Sequence, residues 1–138
     1  MIEDPPQDEN DTAATAYEQL GGDEVVRALV DRFYDLMDRE PAYAVIRRLH
    51  APDLGGARNK LYWYLSGWLG GPNLYVERYG HPRLRARHLP FAIGLAERDA
   101  WLACMTQAMR EMQVAEALSE PLSAAFFKTA DWMRNRPE

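Results

Sequence analysis

The chain has 138 residues, enough for one domain with a sizeable core, and 47% of them are hydrophobic, an ordinary globular share. Its formal net charge of −5 argues against general nucleic-acid affinity, and no apolar run approaches the length of a membrane span. The single cysteine excludes an internal disulfide and fits a reducing cytoplasm, and the acidic, polar N-terminus shows no signal peptide.

Met1 to about Thr12 is rich in Asp, Glu, Asn, Gln and Pro with almost nothing to bury, so it reads as a flexible polar tail before a single domain spanning 13–138. A short helix through Ala16, Tyr17 and Leu20 is stopped by Gly21-Gly22. Asp23 can cap the next helix, which runs to about Arg39 and places Val26, Leu29, Val30, Phe33 and Met37 on one face. Tyr34 falls on the shoulder of that stripe, where a tyrosine ordinarily keeps its hydroxyl in water. Pro41 ends the helix, Ala42 to Leu49 is a short helical piece, and His50-Ala51-Pro52-Asp53 reads as a turn. From about Gly56 to Leu69 a further helix carries Ala57, Leu61, Tyr64, Leu65 and Trp68 on one face, with Lys60 on the flank. Gly70-Gly71-Pro72 terminates it, and Pro72 to Gly80 shows no helical stripe, so it reads as a loop of unusual length.

Gly80 to Phe91 gathers two of the three histidines, His81 and His88, with Arg83, Arg85 and Arg87 and with Arg78 just before. Pro82 and Pro90 bracket room for about two helical turns, with His88 in the last of them and apolar Leu84, Leu89 and Phe91 nearby. That placement suits a metal ligand in a dry pocket with arginines on its rim. The plain alternative is a hydrogen-bonded or partly exposed histidine. No zinc-type cluster surrounds His88, and Cys104 has no CxxC partner. If His88 binds a metal, the remaining coordination comes from something other than protein, a condition that a haem satisfies.

Glu97 and Asp99 favour the start of a helix burying Trp101, Cys104, Met105, Ala108 and Met112. A last helix begins near Ser119-Glu120-Pro121 and buries Leu122, Ala125, Phe126, Thr129 and Met133. No segment alternates at period two, so the chain is expected to be all-α, with four main helices and a long irregular stretch before His88. Four tryptophans and seven tyrosines suit either a well-packed core or an apolar pocket with a few donors.

Tyr17-Glu18-Gln19-Leu20-Gly21-Gly22, Phe33-Tyr34, Gly70-Gly71-Pro72, Gly80 to Arg85, Arg87-His88-Leu89-Pro90-Phe91 and Glu97-Arg98-Asp99-Ala100-Trp101 together resemble the truncated haemoglobins, most closely their second group. The likeness covers about Tyr17 to Arg136. It implies a two-over-two helical sandwich, a shortened globin with a long loop before the proximal histidine. By resemblance His88 ligates the iron of haem b, and Tyr34, Trp101 and His50 are the distal donors. Ala57 and Leu61 match positions facing the iron, and Ala57 cannot donate a hydrogen bond where larger globins carry a glutamine or histidine. Lys60, Tyr75 and Arg87 match positions associated with the haem propionates, and Tyr64, Leu65, Leu84, Phe91 and Ile93 complete the cofactor contacts.

The resemblance implies reversible binding of O2 and other diatomic ligands at a pentacoordinate iron, with distal hydrogen bonds slowing release. Peroxide reduction or nitric oxide oxidation at the same iron is the second reading, and it calls for a separate reductase, since the chain has no flavin or NAD motif. A haem-free helical interaction module is the third. A cytoplasmic location is expected, with no nucleic-acid or membrane partner, and a homodimer is compatible with all three readings.

Overall fold

Thr15 and Glu18 begin the described helices with a reciprocal cap: each side chain accepts a hydrogen bond of 3.1 Å from the other's backbone N–H. The computed structural model describes residues 14–137, so the expected tail lies outside the described residues. In order come α1 (Ala16–Leu20), α2 (Asp23–Arg39), a 3₁₀ turn (Pro41–Tyr43), α3 (Ala44–Arg47), α4 (Gly55–Trp68), α5 (Leu74–Tyr79), α6 (Leu84–His88), α7 (Leu95–Glu111) and α8 (Glu116–Trp132). No strand occurs among the described residues, as the absence of period-two alternation predicts.

The core is centred on α2. Its stripe residues Val26, Leu29, Val30, Phe33 and Met37 are all buried, joined by Leu36, and each such side chain stabilises the fold by roughly 1.5–3 kcal/mol. Around it pack Leu65 from α4, Cys104, Met105, Ala108 and Met109 from α7, and Leu122 and Phe126 from α8. The helix follows Gly22 as its cap, so Asp23 is its first residue rather than its cap, an acidic group still favoured at that end. Arg58 on α4 reaches back to Asp31 and Asp35 on α2, and Arg98 on α7 pairs with Asp131 on α8. Such half-exposed pairs fix the register of helix on helix more than they add stability.

Two further expectations fail for local reasons. Pro72 to Gly80 is not a plain loop, because α5 occupies its middle; the helix is too short for a stripe and buries only Tyr75. α8 starts at Glu116, three residues before Ser119, and carries Pro121 inside it rather than at its start. Glycine is needed at Gly70, where φ is +100° and an added Cβ would lie 2.9 Å from Thr15. At neighbouring Gly71 an added Cβ would meet the Tyr17 ring at 2.5 Å, so this pair of glycines seats α1 on the end of α4.

Candidate functional site

α2, α4, α6, α7 and α8 converge on a cavity of about 290 Å³. Its wall is mainly apolar, with Ile46, Leu49, Leu61, Leu65, Phe126 and Met133 among its members, and a few polar groups face it. That is the usual make-up of a small-molecule or cofactor site.

His88 is the last residue of α6, and its Nδ1 lies 2.7 Å from the Leu84 carbonyl one turn earlier. A carbonyl only accepts, so Nδ1 carries a proton toward it, and Nε2 is the ring nitrogen left to meet a metal. This is the arrangement a metal ligand needs, oriented by its own helix. The Asn135 amide donates to the carbonyls of His88 and Phe91, at 3.3 and 2.8 Å, tying this short segment to the C-terminal end. His81 has a structural task instead: its Nδ1 accepts from the Arg83 N–H at 3.1 Å, in a turn where Arg83 takes a left-handed φ of 49°.

His50 lines the same cavity and is held in the same way, with Nδ1 2.9 Å from the Ile46 carbonyl. Burial holds its pKa below the usual histidine value, with the nearby Arg47 and His88 acting in the same direction and the Ile46 bond against it. The Tyr34 ring meets it edge to face at 5.7 Å.

Tyr34 does not keep its hydroxyl in water. It is only 5% exposed, it lines the cavity, and no hydrogen-bond partner is found for its hydroxyl among the described residues. Burial drives its pKa well above the ordinary tyrosine range, so the phenol stays a protonated donor. Trp101, in the second turn of α7, is wedged between Phe33 at 5.2 Å and Phe126 at 5.5 Å. Its indole N–H likewise finds no acceptor among the described residues. Two unpaired donors beside one cavity call for an acceptor supplied from outside the chain.

Of the residues singled out from sequence, Tyr34, His50, Leu61, Tyr64, Leu65, Leu84, His88, Phe91, Ile93 and Trp101 line this cavity together. Ala57, Lys60, Tyr75 and Arg87 do not. Ala57 is half-buried against the core, and Lys60 is exposed. Tyr75 is buried behind Tyr64, 6.4 Å ring to ring, and Arg87 donates to the Pro82 carbonyl at 2.8 Å. Glu97, Arg98, Trp68, Phe126, Thr129 and Met133 line the cavity without having been marked as site residues. Trp68, Phe126, Thr129 and Met133 sit in helix stripes, which mark buried positions but do not separate core from cavity wall.

A family model of bacterial-like globins matches residues 15–135. The group 2 truncated hemoglobin YjbI of Bacillus subtilis is 39% identical over 122 residues, covering 88% of this chain and 89% of that protein. The group II 2-on-2 hemoglobin of Agrobacterium tumefaciens superposes with a TM-score of 0.87 at 48% identity, covering 90% of this chain and 96% of that one. The truncated oxygen-avid haemoglobin of Bacillus subtilis superposes with a TM-score of 0.81 at 38% identity, covering 88% of this chain and all 100% of that one.

Proposed function

This chain belongs to the bacterial-like globins, within their group II truncated haemoglobins, and on that premise we propose that it holds haem b through His88 and binds O2 reversibly, with hydrogen bonds from the cavity slowing release. When bound, the haem supplies an iron that takes up a diatomic gas. The residues present fit that group. His88 offers Nε2 to a metal because Leu84 holds the proton on Nδ1, and Leu61, Leu65, Phe91 and Ile93 offer apolar surface to a porphyrin.

The observation that carries the reading is Tyr34, a buried phenol lining the cavity whose hydroxyl has no partner among the described residues. A ligand that gains partial negative charge on binding is the acceptor it lacks, and a water-poor wall strengthens such a bond. Trp101 is the main brake on escape. Its indole only donates, whereas the tyrosine hydroxyl can turn and offer a lone pair instead, and its two flanking rings fix where the N–H points. His50 ranks third, because its neutral form bonded to Ile46 turns an acceptor toward the cavity, and burial works against the protonated form that could donate.

An absorption spectrum of the purified protein and of His88→Ala tests the ligand: the histidine-ligated ferrous spectrum should be lost in the variant, and an unchanged iron–histidine stretch there would sink the assignment. Stopped-flow O2 dissociation tests the donors. One bond to a charged acceptor is worth about 1.5–3 kcal/mol, so Trp101→Phe should speed release roughly ten- to a hundredfold and exceed Tyr34→Phe. A larger effect of Tyr34→Phe, with almost none from Trp101→Phe, would demote the tryptophan to packing.

A further inference from the structure

Four aromatic side chains run from the cavity to the surface. Tyr64 lines the cavity, its ring stands 6.4 Å from Tyr75, Tyr75 stands 4.9 Å from Tyr79, and Tyr79 stands 6.0 Å from Trp63. Tyr75 is buried while Tyr79 is 46% exposed. The row is assembled from two helices: Trp63 and Tyr64 are neighbours on α4, and Tyr75 and Tyr79 lie one turn apart on α5. Within the gas site as the structure shows it, only Tyr64 takes part, as cavity wall, and Tyr75, Tyr79 and Trp63 have no task there.

We propose that the row conducts electrons, so that a hydroperoxide reduced in the cavity draws them from phenolic donors at the surface through Tyr79. The inference rests on the haem reading above. The hydroperoxide, ROOH, takes up two electrons and two protons and leaves as ROH and water. Two external phenols each lose one electron and one proton and leave as phenoxyl radicals. Between these events Tyr79 gives up an electron inward and its phenolic proton to water, and it is restored when a donor phenol hands over a hydrogen atom.

The surroundings single out Tyr79 as the place where the oxidised state rests. The Tyr75 phenol is buried with no acceptor among the described residues, so it has no place to leave its proton, and the half-buried Tyr64 lines the cavity rather than the outer surface; these two rings serve as the bridge. At Trp63 the Arg78 guanidinium lies 4.4 Å from the ring centroid. A cation there stabilises the neutral indole and opposes its oxidation to an indole cation radical. Tyr79 alone in the row joins a phenol to open solvent.

The test treats the haem-loaded full chain with hydrogen peroxide in the presence of a nitroso spin trap and locates the adduct by peptide mass spectrometry. Wild type should carry the trap on Tyr79 and form dityrosine-linked dimers. Tyr79→Phe should lose both while the haem band still responds to peroxide. Tyr75→Leu, which removes the bridging ring, should lower Tyr79 labelling severalfold. Labelling of Tyr79 that is undiminished in Tyr75→Leu would trace it to radicals in solution and overturn the relay, as would a trap found on Tyr34 or Tyr17 with Tyr79 unmarked. Should Tyr75→Leu not fold, the adduct maps of wild type and Tyr79→Phe decide alone. A preparation that shows no haem band overturns the haem reading, and the relay falls with it; a haem band with no peroxide response overturns the relay only.

Discussion

α2, α4 and α7 bury Leu29, Phe33, Leu65 and Met105 to 1% exposure or less, whereas α6 buries no residue and Leu89 and Phe91 beside it stand 56% and 41% exposed. The cavity thus has a packed side and a tethered side. The packed side takes its rigidity from apolar burial, and it supplies Tyr34 and Trp101. The tethered side is held by polar links to the C-terminal segment. The Asn135 side chain bridges His88, Phe91 and Ile93, and the Arg85 guanidinium donates to the Trp132 carbonyl at 2.5 Å. Donors to a small ligand must be held in direction, and close packing does that. On the proposed reading, a segment that settles against a flat cofactor gains from a few directional ties instead.

The largest expected contrast comes from truncating one ring on each side. Phe33→Ala should cost about 3–5 kcal/mol, the usual range for a fully buried phenylalanine. Phe91→Ala should change the stability of the haem-free chain by no more than about 0.5 kcal/mol, as exposed positions do. Equilibrium urea unfolding of both variants measures the difference. Equal losses would mean that the tethered side is packed after all.

Next is Asn135→Ala, which removes the tie itself. The His88 and Phe91 carbonyls and the Ile93 N–H lose their partner together, and abandoned polar groups of this kind cost roughly 1–3 kcal/mol. The loss should be local. Hydrogen exchange should quicken across residues 84–93 while the α2 amides keep their protection. Uniform quickening along the chain would show that the two sides unfold as one.

Gly71→Ala probes the seat of α1 on the packed side. The added Cβ falls inside contact distance of the Tyr17 ring, at 2.5 Å. Overpacking usually costs about 1–3 kcal/mol, and the half-buried ring can yield, so the lower end of that range is expected by urea unfolding. Gly22→Ala is a poor control, since its φ of +87° would add strain of its own, whereas Gly56→Ala meets nothing within 4 Å and should be close to neutral.

The same contrast decides what the sequence could reveal. Helices on the packed side announce themselves because burial imposes the 3.6-residue stripe, and α2 ends where that stripe ends. α5 is silent because only Tyr75 is buried along its six residues. Pro121 misled the start of α8, since a proline signals the first helical turn more often than a helix interior. At the cavity, Tyr34 looked like a boundary residue because its stripe position cannot show that His50 and Arg58 close over it. Phe126 and Met133 looked like ordinary core because stripes carry no information about which buried side chains face a space. Which partners Lys60 and Arg87 take is equally beyond a sequence, because long basic side chains choose partners in three dimensions.

The smallest expected effect joins two packed-side helices at their exposed edge. The Tyr62 hydroxyl on α4 donates to the Asp23 carboxylate at the start of α2. That bond, helped by burial and by the negative charge itself, raises the Tyr62 pKa from 10.0 to about 12. The phenol is therefore more willing to ionise in the unfolded chain than in the folded one. Its contribution is fully present below pH 10, fades as the pH rises, and is gone above about 12. At neutral pH the bond should add only about 0.5–1 kcal/mol, the low end for a hydrogen bond, because both groups are open to water. Tyr62→Phe should lose that increment at pH 7, and the gap between variant and wild type should close on the alkaline side. Ultraviolet titration should also show one fewer tyrosine ionising near pH 12, with Tyr34 remaining among the last to ionise. If the gap were absent at pH 7 and stayed absent on the alkaline side, Tyr62 would ionise alike in the folded and unfolded chains and the bond would hold nothing.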